Sequence, residues 1–199
     1  MLRFIILSIS ILTLISNYLI FNSHEYQTIL FNDIKYGTFT FSISQLNEIN
    51  YKYPSLASNS VPVLTYISRY YTEYEKFNEA IDQLKESLTS NPNSTYTKYL
   101  LSRNYIFLND FKNAERYLEE IFEASPKIES SSALYLSILE MNQNVIKLND
   151  IYDKMIVIEN KNIWRYYISA LKNNTQLTSD KSLYNKALFF FKTNKFRIQ

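Results

Sequence analysis

Between Phe4 and Phe21 the chain carries no charge and is dominated by Ile and Leu, whereas from Ser23 onward apolar residues recur every third or fourth position among polar ones. The first segment, as a helix, would rise about 27 Å, close to the roughly 30 Å hydrocarbon thickness of a bilayer. A cleaved secretory signal is the competing reading. Its apolar region usually runs about 7–15 residues and ends in a small-x-small site. Here the run is longer and continues into Phe21-Asn22-Ser23-His24-Glu25, so the pattern predicts an uncleaved signal-anchor over residues 1–22. Arg3 and the amino group precede the span, while Glu25 and Asp33 outweigh Lys35 after it. That asymmetry keeps the amino terminus cytoplasmic. Residues 23–199 then lie outside, in the periplasm if the host is a Gram-negative bacterium.

The helical periodicity of the remainder predicts an all-α chain, and it repeats. Phe77-x-x-Ala80-Ile81-x-x-Leu84 closes at Pro92, and 34 positions later Phe111-x-x-Ala114-x-x-x-Leu118 closes at Pro126. Ile67, Ser68 and Tyr71 correspond in the same way to Leu101, Ser102 and Tyr105. An earlier copy, Phe39-x-x-Ser42-Ile43-x-Gln45-Leu46 closing at Pro54, is displaced by 38 positions. Small residues Ser42, Ala80 and Ala114 are expected where paired helices cross, because a larger side chain would hold the backbones apart. The prolines stop each second helix. Breaks within the pairs are expected at Tyr36-Gly37, Tyr74-Glu75 and Leu108-Asn109, so the single glycine falls at a chain reversal.

A 34-residue period with this punctuation resembles the tetratricopeptide repeat family. The resemblance covers residues 23–128, as three repeats of about 23–56, 61–94 and 95–128, and implies a solenoid of helical hairpins. The chain departs from the family pattern at its aromatic start (Tyr26, Leu64, Lys98), at the usual glycine (Leu30, Ser68, Ser102) and at the second-helix aromatic, which is leucine. Beyond residue 128 the pattern decays. Ser131–Met141 with Val145–Ile158, and Ile163–Leu171 with Ser182–Thr193, read as degenerate capping pairs, the second joined by a polar loop from Lys172 to Asp180. Neither the small crossing residue nor the proline stop is present in the first of these pairs.

Composition narrows the chemistry. One glycine in 199 residues removes the Walker loop and the dinucleotide fingerprint. No cysteine and one histidine, His24, remove disulfides, thiol nucleophiles, imidazole triads and zinc cages. A net charge of +2 predicts no strong attraction to nucleic acid. Most carboxylates, such as Glu115, Glu119, Glu120 and Glu123, fall on exposed helix faces. No catalytic, cofactor or metal residue is therefore assigned, and His24-Glu25 is too small a pair to build a metal site. The run Phe189-Phe190-Phe191-Lys192 with Lys195 and Arg197 reads as the last amphipathic helix covering the core end, a membrane-touching tail being the alternative.

The resemblance implies a concave groove lined by the first helix of each repeat. Carried over by position, it assigns His24, Gln27, Phe31 and Ile34; Pro62, Thr65, Arg69 and Thr72; and Tyr96, Tyr99, Arg103 and Ile106. Arg69 and Arg103 would stand as neighbours beside Tyr96 and Tyr99, able to hold a carboxylate or phosphate. The plainer alternative is that the arginines are solvated or pair with Glu73 or Glu140. Together these features predict a membrane-anchored, non-catalytic adaptor that binds a protein or peptide through its groove. A second reading starts from the resemblance of a span followed by such repeats to the end of bacterial O-antigen ligase-type proteins. It makes the chain an accessory of envelope polysaccharide assembly, contacting glycan or its transfer machinery.

Overall fold

The uncharged segment and the first mixed segment contain no proline and no glycine before Gly37, so nothing interrupts a helix across their junction. In a computed structural model, which describes residues 2–178, 181–193 and 196, they form one helix, α1, Leu2–Tyr36. Side chains from Phe4 to Phe21 are exposed except for the half-buried Ser16 and Leu19, with Phe4 at 76% and Leu14 at 70%. Burial starts at Ser23 and continues at Leu30 and Asp33. The remaining elements are α2 (Ile43–Glu48), α3 (Val63–Glu73), α4 (Phe77–Ser90), α5 (Thr95–Phe107), α6 (Phe111–Ala124), α7 (Glu129–Met141), α8 (Val145–Asp150), α9 (Tyr152–Ile156), α10 (Lys161–Thr178) and α11 (Ser182–Thr193). Among the described residues there is no strand, only an isolated bridge between Leu56 and Pro62. The chain divides into two compact units, one ending at Asn104 and the other beginning at Tyr105.

In the first unit α1 and α4 flank α3, whose residues Val63, Leu64, Ile67, Tyr70 and Tyr71 form a core with Leu30, Leu46, Ile49 and Ala80. Ala80 is fully buried, as a close helix crossing requires. Ser68 and Ser102 stand fully buried where the family pattern has glycine. Each satisfies its own hydroxyl on its helix, Ser68 Oγ donating to the Thr65 carbonyl at 2.7 Å and Ser102 Oγ to the Tyr99 carbonyl at 2.7 Å. The second unit centres on Trp164 and Tyr167 of α10, packed with Leu118, Phe122, Tyr135, Leu136, Leu148, Met155 and Ala187.

The period is written most clearly in the backbone. Glu75, Asn109 and Gln143 adopt φ values of 58°, 59° and 53°, and Gly37 adopts 70°. At each, the following amide reaches back five residues: Thr38 to Asp33, Lys76 to Tyr71, Asp110 to Tyr105 and Asn144 to Leu139, at 2.8–3.1 Å. This is the Schellman closure, with the left-handed residue just past the end of the helix. Asp110 and Asn144 then cap the next helix, their side chains accepting from the amides of Asn113 and Lys147. Pro92 and Pro126 sit one residue after turns begin at Asn91 and Ser125, whose carbonyls accept from Ser94 and Ile128.

Three expectations change. Ser42 is not a crossing residue. It is exposed and forms a capping box with Gln45, so the second helix of the first copy is only the six residues of α2. The expected loop from Lys172 is helical, because α10 continues to Thr178; Asp180 lies outside the described residues, as do Lys195 and Arg197. Residues 129–158 keep the 34-residue register through Gln143, with Leu148 in place of alanine and Asn160 in place of proline. Asn160 performs a different task from the prolines, its side-chain oxygen accepting from the amides of Asn162 and Ile163 and so capping the start of α10.

Candidate partner-binding face

The first-helix positions assigned to the groove divide into two sets. Thr65 and Thr72 do not line open surface: they are buried, at 0% and 6% exposure. Their hydroxyls serve the packing of α3 on α5 instead. Thr65 Oγ1 meets Thr97 Oγ1 at 2.8 Å, Thr97 continues to Ser94 Oγ at 2.8 Å, and Thr72 Oγ1 donates toward Asn104 Oδ1 at 3.0 Å. A buried hydroxyl without such a partner would destabilise the interface, so these residues are committed. Their spacing, 65 to 97 and 72 to 104, is the signal in the sequence that a groove template overlooks. Pro62 is also buried, at the start of α3. Ile106 falls in the second unit, where it packs against the core around Leu118.

Arg69, Tyr96, Tyr99 and Arg103 remain accessible in the first unit. Arg69 is ion-paired with Glu73 and lies over the Phe39 ring, 5.7 Å from its centroid. Arg103 lies 6.0 Å from the centroid of Tyr99. Both guanidiniums act on Tyr96: burial pushes its phenol up, and the two positive charges oppose that rise. Rings then continue toward α1, with Tyr96 and Tyr66 centroids 6.3 Å apart and Tyr66 and Phe31 6.4 Å apart at 72°. Tyr66 donates to Asn59 at 3.1 Å, and burial raises its phenol too, so it stays neutral.

Where this series meets α1 there is a pocket of about 320 Å³, lined by His24, Gln27, Thr28 and Phe31 on one helix face and by Ala57, Ser58, Asn59 and Tyr66 opposite. Three of the four first-repeat groove positions are here, while Ile34 packs partly buried against the core. Nearby, Asp33 fixes the geometry of α1. Its carboxylate accepts from Thr38 Oγ1 at 2.6 Å, from the Thr40 amide at 2.8 Å and hydroxyl at 2.6 Å, and from the Tyr70 hydroxyl. Burial pushes this carboxyl up, but the hydrogen bonds from Thr38, Thr40 and Tyr70 outweigh it and hold it at about 2. Among the described residues no group of three His, Cys, Asp or Glu side chains is placed to hold a metal ion.

The second unit has its own polar clasp. Lys147 Nζ bridges Glu115 and Glu119 at 2.8 and 2.7 Å, and Glu115 also accepts from Asn142 and Asn144. An open cleft of about 470 Å³ is bounded by Glu129, Asn162, Arg165, Tyr166 and Ser169.

No family model and no curated protein matches the sequence. Solved structures match along most of its length. A crystal structure of MamA protein superposes with a TM-score of 0.59 at 18% identity, covering 85% of this chain and 88% of that one. MamA from Desulfovibrio magneticus RS-1 gives 0.51 at 15% identity over 85% and 83%. A tetratricopeptide repeat protein from Parabacteroides merdae ATCC 43184 gives 0.52 at 10% identity over 86% and 59%. The shared fold is the tetratricopeptide-like helical repeat.

Proposed function

We propose that this tetratricopeptide-like protein is a membrane-anchored, non-catalytic adaptor, holding a protein or peptide partner on the face of α1, α3 and α5 as far as Arg103. A fold of this kind is a scaffold for protein–protein interaction. The observation that carries the anchoring is the two-part character of α1. From Phe4 to Phe21 the helix exposes apolar side chains all round, and from Ser23 the same helix enters the packed unit. Eighteen apolar or weakly polar helical residues, all but Ser16 and Leu19 exposed, are unfavourable in water and match a bilayer in length. On the partner face, the guanidiniums of Arg69 and Arg103 beside Tyr96 and Tyr99 suit a carboxylate-bearing segment stacked on rings.

Two measurements test this reading. Full-length chain should float with liposomes and resist alkaline carbonate, whereas a chain lacking residues 2–22 should stay soluble and helical. Because the chain has no cysteine, Asn93→Cys introduces a single thiol at an exposed site. Labelling of intact cells by an impermeant maleimide reads the orientation, and protection of that thiol refutes an outward-facing repeat region. Crosslinking from intact membranes should capture a protein that the double variant Arg69→Glu, Arg103→Glu loses; equal capture by both refutes the partner face.

A further inference from the structure

The charges of this chain are divided along its length. Of its 21 Lys and Arg, eight fall in residues 161–199, against one of its 19 Asp and Glu, so that stretch carries +7 and residues 1–160 carry −5. Neither α10 nor α11 contains an acidic residue. Such a bias along a chain is the mark of a segment that meets an anionic surface, which both attracts and orients it. The fold then splits the apolar run at 189–191. Phe190 stacks on Trp164 with centroids 4.8 Å apart, and Phe191 meets Phe196 at 5.3 Å. Phe189 points outward and is 71% exposed.

The surroundings of Phe189 follow from the helical repeat. At about 100° per residue, Lys181 and Lys192 lie on one side of it and Lys186 on the other, within an arc of about 140°. Every residue in that arc is exposed. A lone exposed phenylalanine is ordinary. Centred among lysines on a helix without acids, it matches the interfacial pattern in which a ring enters the headgroup boundary while cations stay level with the phosphates. The rest of α11 limits the depth. Leu183, Tyr184 and Ala187 pack on the core around Trp164, so the helix cannot sink and Phe189 alone goes deeper. Lys186 Nζ lies 4.3 Å from the centroid of the Tyr152 ring, which holds that charge in place. The kind of cation also discriminates between partners. A shaped carboxylate site on another protein favours the planar fork of arginine, whereas lysine, a flexible and hydrated point charge, suits a diffuse array of phosphates.

We infer that the outer face of α11, Lys181, Lys186 and Lys192 around Phe189, docks on a bilayer surface rich in anionic phospholipid. This face belongs to the second unit, apart from the residues of the proposed partner face, and it does not depend on residues 4–21 spanning the bilayer. Each lysine near such a surface strengthens binding about fivefold, so three give roughly 150-fold.

The test uses full-length chain carrying Asn185→Cys, a single thiol on that face, labelled with bimane and reconstituted in liposomes that contain a headgroup-nitroxide lipid as quencher. Changing the bilayer from phosphatidylcholine alone to a mixture with phosphatidylglycerol should raise quenching about threefold. The rise should vanish in about 1 M salt, where the Debye length falls to about 3 Å. It should vanish too in the triple variant Lys181→Gln, Lys186→Gln, Lys192→Gln, and return when the same three positions are arginine. Phe189→Ser should lower quenching about twofold with helix content unchanged. Equal quenching in both bilayers, a rise that survives salt or the triple variant, or no effect of Phe189→Ser would overturn the inference. Full reversal by polyglutamate at equal charge concentration would overturn it as well, identifying an acidic polypeptide as the ligand. Flotation with pure phosphatidylcholine liposomes reads the anchor separately: a chain that floats there without the anionic response sinks only this face, and one that floats only with phosphatidylglycerol sinks only the anchor.

Discussion

Asp33→Asn tests whether a buried carboxylate ties α1 to the first unit. The wild-type group is 5% exposed and receives four hydrogen bonds, from Thr38, from the amide and hydroxyl of Thr40 and from Tyr70. Its pKa falls from 3.8 to about 2. At about 1.4 kcal/mol per unit that shift corresponds to roughly 2 kcal/mol of native stability at neutral pH. Asparagine offers one acceptor oxygen to donors that had two, and the Thr40 amide has no rotor with which to adapt, so the expected loss is about 2–3 kcal/mol. The assay is native-state hydrogen exchange of the full chain in detergent micelles. Peptides covering residues 24–36 and 63–73 should exchange about 30- to 150-fold faster in the variant, while those covering α6 and α7 should not change. The pH dependence carries the sign. A depressed carboxyl pKa contributes stability that is complete above the unfolded value near 4 and is lost as pH falls through about 2. The wild-type advantage over the variant should therefore persist from pH 7 to pH 5 and shrink between pH 4 and pH 2. Less than a threefold change in exchange, or an advantage that does not shrink with acid, would refute the assignment.

Other consequences concern the repeat register. Glu75→Gly relieves a left-handed residue at φ 58° and should stabilise the first unit by about 0.5–1 kcal/mol in thermal unfolding. Gly37→Ala should destabilise it by about 1 kcal/mol through backbone strain alone, since an added Cβ at Gly37 meets nothing within 4 Å. Lys147→Met removes the cation between Glu115 and Glu119 and should cost about 1 kcal/mol in urea titration at low salt. Burial presses the Lys147 pKa down, but the two carboxylates more than reverse this. Its contribution is thus complete below pH 10 and lost as pH rises beyond the free-lysine value. Thr65→Val breaks the buried hydroxyl contact to Thr97 and should cost about 1 kcal/mol, read from the midpoint of thermal unfolding.

The repeat was legible wherever one residue type performs the same backbone task in each copy. Pro92 and Pro126 hold the second position of equivalent turns, and Ala80 and Ala114 occupy buried crossings, so pattern and structure coincide there. The copy at 129–158 was harder to read because the task persisted while the residue changed. Gln143 takes the left-handed position of Glu75 and Asn109, and Asn160 stands where the earlier copies have proline but caps the start of α10 with its side chain. Ser42 misled in the opposite way. A small residue at the right offset serves either a crossing or a cap, and Gln45 three positions on completes a capping box. The groove template failed at Thr65 and Thr72 because it assigns helix faces by average geometry, whereas their hydroxyls find partners on α5. Asp33 left no sequence signal beyond its charge. Its burial depends on Thr38 and Thr40 folding back across the turn and on Tyr70 arriving from α3.

That turn bears on function as much as on stability. A membrane helix joined to a soluble unit through a glycine or proline linker leaves the unit free to tilt, and a pocket on it has no fixed depth. Here the helix breaker, Gly37, comes fifteen residues or more after the apolar segment, beyond the last residues of α1 that pack on α3. The apolar segment and the first packed helix are therefore one rod, and Asp33 fastens that rod to Tyr70 at its far end. On the proposed anchoring, the height of His24 and Phe31 above the bilayer follows from the helical rise, not from the conformation of a loop. On that same proposal, a partner bound along Phe31, Tyr66 and Tyr96 is held at a height above the membrane that the rod sets, which suits an adaptor whose partner is itself membrane-proximal.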